Sequence, residues 1–403
     1  MKTLALTLAA GASISLATLA AAAATGEMGP APSNDTPHMQ PADPVSTPAS
    51  VNHDEPAPVI DVAILLDTSS SMDGLIDQAR DRLWSIVNDL ATSKKNGQYP
   101  DIRVALYHYG NSRLAAETGY IEQLQPLTDD LDAVSESLYA LTTSGGDEYC
   151  GQVIQVALEQ LEWSAGDHYR AIFIAGNEPF TQGSIDAESA CRSAIAKGIV
   201  VNTIHCGDHQ AAINGGWVSG AKLADGECIS IDQNSRLADI AAPQDSRISE
   251  LNQQLNATYV AYGAHGRDRH QRQVAQDSNA VGSSAGSFAE RAAAKASSNY
   301  SNADWDLVDA VAEGEVQLES LAPAALPPGM ADLSPEEQLA VIEEKREERA
   351  RIQSELTELT QQRRDYVAAK RAELGDADDG FGAAVSAAID QQLEQRGFDR
   401  SAE

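Results

Sequence analysis

The stretch PVIDVAILL, residues 58–66, limits what this chain can fold into more than any other. It is a nearly continuous apolar run of strand length, and such a strand must be covered on both faces. The segment after it reads as an amphipathic helix, with Leu75, Ile76, Ala79, Leu83, Ile86, Val87 and Leu90 at helical spacing. The alternation then continues. DIRVALYHYG and GYIEQL read as strands, followed by helices over Asp130–Leu141 and Val153–Trp163. YRAIFIAG is a strand, SIDAESACRSAIAK a helix and IVVNTIHCG a strand; WVSGAKLADG closes a helix on glycine, and ECISID is a last strand before a helix over Ser246–Ala257. Strands alternating with helices predict an α/β fold: a doubly wound, mostly parallel sheet flanked by helices. In such sheets, ligands sit at the carboxyl ends of the strands, where strand order reverses.

The segments outside this pattern differ in character. Residues 1–24, with Lys2, an apolar run and AAAAA, read as an export signal. The mature protein is then expected in the periplasm or outside the cell. Residues 25–57 are rich in Pro, Ser, Thr and acids, too poor in apolar content to fold, and read as a disordered linker. The α/β pattern fills 58–262, and a polar connecting region, of helix or irregular chain, follows over 263–333. Residues 334–374 read as one long charged helix, opened by a Ser334–Glu337 capping box with Pro335 at the first helical position. Its heptad seam (Ile342, Lys345, Arg349, Ile352, Leu356, Leu359, Arg363, Tyr366, Lys370) is only half apolar. That favours a helix packed by one edge on its own chain over a dimerising coiled coil, which stays as the alternative. A shorter helix over Gly382–Arg396 ends the chain.

Charge narrows the function classes. The chain holds 60 acidic and 28 basic side chains, a net −32. Phosphate binding needs a basic face, so nucleic acid is excluded as a partner. After the signal, no run is long and apolar enough to span a bilayer.

The stretch DTSSSM, Asp67–Met72, ends the first strand and precedes the first helix. An aspartate followed by serines at alternate positions gathers hard oxygen donors on one side of a turn, as a divalent cation requires. The other use of such serines is to cap the helix that follows. With the α/β pattern, DTSSS resembles the von Willebrand factor type A domain with a metal-ion-dependent adhesion site, over about residues 58–262. The resemblance implies a binding module that holds Mg2+ or Mn2+ through Asp-x-Ser-x-Ser, a threonine from a second loop and an aspartate from a third, with a partner's carboxylate completing the shell.

Asp67, Ser69 and Ser71 match the first motif. In the second loop, TTSGGDEYCG, alignment on Gly145–Gly146 puts Glu148 at the threonine position, with Asp147 and Thr143 as neighbouring alternatives. In the third, FIAGNEPF, Gly176 stands where the family has aspartate, and Asn177 and Glu178 follow. IFIAGNEPFTQG and GIVVNTIHCG are similar to a subgroup of secreted bacterial type A proteins, in which Asn-Glu-Pro-Phe stands in for Thr-Asp-Gly. The expected cation ligands are therefore Asp67, Ser69, Ser71 and Glu148. Two direct carboxylates make the metal a weaker Lewis acid toward a partner's carboxylate.

Four cysteines in an oxidising compartment permit disulfides. Cys150, Cys191 and Cys206 are expected near the rim of the site, two of them bonded, with Cys228 near the opposite end. Enzyme readings have little support. His205, Cys206 and His209 in HCGDH invite zinc, but no fourth ligand is placed. Neither a Gly-x-Ser-x-Gly elbow nor a phosphate loop accompanies any serine. His265 and His270 lie in a polar stretch and are expected at the surface. The reading is an exported, non-enzymatic module for protein–protein interaction at the cell envelope. A structural protein assembling through 334–374 and a metal-dependent hydrolase are the alternatives.

Overall fold

Strand β1, Val59–Asp67, is the centre of the molecule: all nine of its residues pair with β3, seven of them also pair with β5 on the other side, and most are buried. The computed structural model describes residues 57–231, 239–374 and 380–400. The expected export signal lies outside the described residues, as does the expected linker apart from Ala57.

After β1 come α1 (Asp73–Ala91), β2 (Ser93–Lys95), β3 (Asp101–Tyr109), β4 (Ile121–Thr128), α2 (Leu131–Ala140) and α3 (Cys150–Gln160). Then follow β5 (Tyr169–Gly176), α4 (Ala187–Ala196), β6 (Val200–Cys206), α5 (His209–Gly215), α6 (Trp217–Lys222) and β7 (Cys228–Ile231). The remainder is helical: α7 (Asp245–Asn256), α8 (Gly266–Ser283), α9 (Ala285–Ala296), α10 (Leu307–Ala312), α11 (Pro335–Leu374) and α12 (Gly380–Gln395), closed by β8 (Phe398–Arg400).

The main sheet has the order β4-β3-β1-β5-β6-β7. All neighbours are parallel except β4, which pairs antiparallel with β3 at the edge, with register shifts between Val104 and Tyr107. The chain leaves β1 toward β3 and later returns to its other side as β5. Strand order therefore reverses at β1, and Asp67 stands at its carboxyl end. Alternation along the strands sends Ile60, Val62 and Leu66 into one apolar layer with α1, and Ala63 and Leu65 into the other with α3 and α4. The expected doubly wound sheet is thus the observed one.

The last helix on the α1 face comes from the far end of the sequence. Val385, Ile389 and Leu393 of α12 join the core formed by α1 and the sheet. Gln392 exchanges hydrogen bonds with Asn202 on β6 (2.7 and 3.1 Å) and accepts one from the Tyr169 hydroxyl (2.7 Å). β8 then pairs with β2. Helix α7 packs elsewhere: Ile248, Leu251 and Leu255 meet Phe288, Ala292, Trp305, Ile352 and Leu356 in a separate helical core.

The polar stretch over 264–300 is helical, as α8 and α9, because its charges are neutralised internally. Asp277 accepts from Arg291 (2.6 Å), Lys295 (2.9 Å), Asn252 (2.8 Å) and Asn256 (2.7 Å), and Arg291 also reaches Asp132 of α2 (2.8 Å). His265 is exposed, as expected. His270 corrects its expectation: its ring stacks on Trp305 (centroids 5.7 Å apart) and is half-buried.

The capping box of α11 forms in both directions, Ser334 N to Glu337 (2.8 Å) and Glu337 N to the Ser334 hydroxyl (3.3 Å). One edge of α11 is buried against α7 and α9. Its seam arginines are ion-paired within the chain: Arg349 to Asp306 (2.7 Å) and Asp309, and Arg363 to Asp245 (2.6 Å). The seam that a dimerising coiled coil would use is occupied by the chain itself. Among the described residues no helix is long and apolar enough to cross a membrane.

Candidate functional site

At Asp67 the backbone leaves the sheet and turns sharply. Thr68 N donates to Tyr109 O (2.8 Å), holding the turn against β3, and Met72 N donates to Ser69 O (3.1 Å). Helix α1 then starts at Asp73, with Met72 at the capping position and no side-chain cap. The serines therefore do not cap α1. Their hydroxyls face one another instead.

The Asp67 side chain is fully buried. Its Oδ1 accepts the Ser69 N–H at 2.7 Å, while Oδ2 is buried and meets no donor. A buried carboxylate oxygen without a partner is costly, and it marks a place where positive charge is wanted. Ser69 Oγ lies 3.2 Å from Ser71 Oγ. Glu148 is buried beside Asp67. Gly110 makes room for both acids. Its φ is +74°, and a Cβ there would stand 2.8 Å from Asp67 Oδ1 and 2.9 Å from Glu148 Cγ. Gly146 lets the second loop press onto the first turn's brace, since a Cβ there would sit 2.4 Å from Gly110 O.

The neighbouring alternatives in the second loop are used otherwise. Thr143 donates to Asp73 (2.6 Å), and exposed Asp147 accepts from the Tyr149 hydroxyl (3.2 Å). Glu148 is the residue brought to Asp67.

In the third loop, Gly176 leaves no space for a side chain. A Cβ would stand 2.8 Å from the Tyr109 hydroxyl, 3.0 Å from Trp217 and 3.4 Å from Asp67 Cβ. Asn177 comes in its place, donating from Nδ2 to Ser71 Oγ (3.0 Å). Phe180 is fully buried against Trp217, and the Trp217 indole donates to Glu178 O (2.9 Å).

Burial drives the electrostatics. It raises the Asp67 carboxyl, with Glu148 and Glu178 adding to the rise against the Ser69 hydrogen bonds, to about 7. Glu148 is raised for the same first reason, with Glu178 next. Asp67 thus resists ionisation unless a cation joins it, and Glu148 is shifted in the same direction. The donors gathered here are oxygens of the kind Mg2+ and Mn2+ accept.

Bracing groups that carry no motif complete the site. Buried Asn111 donates to Thr142 O (2.9 Å) and Thr68 O (3.3 Å), tying the turn to the second loop. Thr68 Oγ1, His108 and Glu122 form a chain (3.0 and 2.9 Å) that resembles a nucleophile–base–acid array. Thr68 is fully buried and its hydroxyl donates to Tyr109 O, so the chain serves as a strut.

The HCGDH residues are not brought together. Cys206 enters the α1-side core, His205 faces the opposite way against Trp217, and exposed His209 meets Ser230. Among the described residues no three His, Cys, Asp or Glu side chains are grouped to hold a metal. A cation at Asp67 therefore rests on two carboxylates and hydroxyls.

The expected rim disulfide is absent: all four cysteines are free thiols. Cys150 and Cys191 are packed in the core on one side of the sheet and Cys206 in the core on the other. Burial raises the thiols of all three, leaving them inert at neutral pH. Cys228 opens β7 opposite Thr203, three positions from Cys206 along the neighbouring strand.

No curated protein matches the chain. Among solved structures, it is similar to the conserved hypothetical protein BatB from Bacteroides thetaiotaomicron (18% identity, 43% of this chain and 90% of that one, TM-score 0.34). It is also similar to an aerotolerance-related membrane protein from Bacteroides fragilis (18% identity, 43% and 92%, TM-score 0.31). A third is proximal thread matrix protein 1 from the mussel byssus, with a zinc-occupied MIDAS motif (13% identity, 44% and 43%, TM-score 0.34). The family model of the von Willebrand factor type A domain matches residues 61–214. That span runs from within β1 into α5 and includes all three loops around Asp67, so this chain carries a von Willebrand factor type A domain.

Proposed function

We propose that this protein is an exported binding module acting at the cell envelope, whose rim holds a divalent cation, Mg2+ or Mn2+, on Asp67, Ser69, Ser71 and Glu148. The observation that carries the reading is Asp67 Oδ2, buried without a donor beside a second buried carboxylate. The serines' freedom from helix capping supports it. Asp67 and Glu148 together offer two negative charges, which match one divalent ion. When bound, the cation neutralises these acids and fixes the three loops as one surface. Ser69 N–H holds Asp67 so that Oδ2 faces the site, and Gly110 keeps Glu148 alongside. With both carboxylates in direct contact, the metal attracts a further carboxylate weakly, so the partner binds chiefly to the shaped rim. We read the binding domain as discontinuous: residues 58–231 closed by α12.

Calorimetric titration of Mg2+ and Mn2+ into the full chain, with Asp67→Ala as control, tests the cation. Saturable binding is expected in the wild type alone; equal heats from both proteins would sink the reading. A crosslinking pull-down from envelope extract, with and without chelator, tests the interaction: capture that needs both Asp67 and the cation is expected. Capture indifferent to both would separate the partner from this site.

A further inference from the structure

The rim around Asp67 is acidic well beyond the chain as a whole, which has 60 acids to 28 bases. It is built from residues 67–73, 110–120, 141–149, 177–186 and 207–208, at the carboxyl ends of the strands. Besides the buried Asp67 and Glu148, these stretches carry six exposed acids, Asp73, Glu117, Asp147, Glu178, Asp186 and Asp208, and one base, Arg113. At the other end of the sheet the charges are paired: Lys95 meets Asp167, Arg103 meets Asp61, and Arg269 and Arg272 meet Asp130. At the rim, carboxylates meet neutral donors instead: Thr143 on Asp73, Tyr149 on Asp147, and helix N–H groups on Asp186 and Asp208.

Asp186 and Asp208 have a local task, capping α4 and α5. Asp147 and Glu178 have none of that kind, since α3 has no side-chain cap and α4 is capped by Asp186. Both stand next to the centre of the site. Asp147 precedes Glu148, and Glu178 follows Asn177, whose amide donates to Ser71 (3.0 Å). Between them the floor holds Asp67 Oδ2, fully buried and without a donor, so the centre also lacks positive charge. Two half-buried aromatic rings join the same rim. Tyr120 and Tyr149 stand 6.2 Å apart, and Tyr149 lies against Gly183, where a Cβ would sit 2.8 Å from its ring. Aromatic faces, like carboxylates, attract ammonium and guanidinium groups.

We propose that this rim binds a lysine- and arginine-rich segment of its protein partner, the reverse of the acidic contact that the sequence resemblance implies. The proposal rests on the reading of the rim as a binding surface and names the partner's chemistry. A divalent cation matches the charge of Asp67 and Glu148 and leaves the six exposed acids opposed by Arg113 alone. A basic segment is drawn to that field, and an acidic one is repelled by it.

The test uses the full chain with two fluorescein-labelled peptides as probes, one built of Lys, Arg, Gly and Ser and one with Asp and Glu in place of the bases. Binding is read by fluorescence anisotropy with Mg2+ and in chelator. The basic peptide is expected to bind in Mg2+ and the acidic one not. Asp147→Asn with Glu178→Gln is expected to weaken the basic peptide by about 3- to 30-fold, the loss of two exposed ion pairs, and to flatten its salt dependence. Neutralising two exposed acids of α11, Glu344→Gln with Glu347→Gln, should leave both unchanged. If the rim double variant fails to fold, Glu178→Gln alone carries the comparison. Equal affinity in the wild type and the rim variant, equal losses in the rim and α11 variants, or binding of neither peptide overturns the proposal. Preference for the acidic peptide, dependent on Mg2+ and Asp67, overturns it and leaves the cation site standing. Rim-dependent binding of the basic peptide by a wild type that takes up no Mg2+ supports it and overturns the cation reading.

Discussion

Gly176 lies so close to Tyr109 that a single added carbon would stand 2.8 Å from the phenol oxygen. That oxygen is itself committed, donating to Ala175 O at 2.9 Å. The aspartate that the sequence resemblance implies for the third loop would have no room at position 176, because Tyr109 and Trp217 stand against it.

Placing an aspartate there should therefore do harm. Gly176→Asp is expected to cost about 1–3 kcal/mol from overpacking, with a further cost for its buried charge. Thermal unfolding in chelator checks this: a melting temperature at or above the wild type's would mean that the pocket yields.

Helix α12 should be indispensable to the sheet despite its distance in sequence. Ile389 is fully buried in the core between α1 and the strands. Ile389→Ala is expected to destabilise the protein by about 2–5 kcal/mol, measured by denaturant unfolding. A loss under 0.5 kcal/mol would mean that α12 merely rests on the surface.

Acid should unfold the helical region through Asp277. Burial alone would raise its carboxyl, but Lys295, Arg291 and the Asn256 and Asn252 amides outweigh burial and hold it well below the usual range. A carboxyl depressed in the folded state adds stability above its unfolded value near pH 4 and loses it as pH falls through the folded one. Melting temperature should therefore drop below about pH 4. Asp277→Asn should be less stable at pH 7 by about 3–5 kcal/mol, because Arg291 and Lys295 lose their counter-charge. Its melting temperature should fall less steeply with acid; an equal slope in both proteins would remove Asp277 from the account.

The strands and their order of burial were legible because parallel strands need apolar residues on both faces, and VAILL, AIFIA and IVVNTI have them. The role of α12 was not. Val385, Ile389 and Leu393 form the same kind of apolar face as other helices, and nothing local says that this helix, and not α7, covers the sheet. Gln392 finds Asn202 across 190 residues of sequence. His270 was misread because ring stacking on Trp305 depends on where α8 lies. At the site, Asp67, Ser69 and Ser71 could be picked out by motif and Glu148 by its glycines. Backbone geometry was needed to learn that the serines cap nothing. Asn111 and the Thr68–His108–Glu122 strut carry no spacing signal, since their partners come from separate loops and strands.

The central claim is that a divalent cation sits on Asp67, Ser69, Ser71 and Glu148. The most direct measurement is anomalous scattering from a crystal of the full chain grown with Mn2+. The account predicts one strong peak at the carboxyl end of β1, bounded by those four side chains and lost in Asp67→Ala. A site without a peak at saturating Mn2+, or a peak held by other residues, would contradict it.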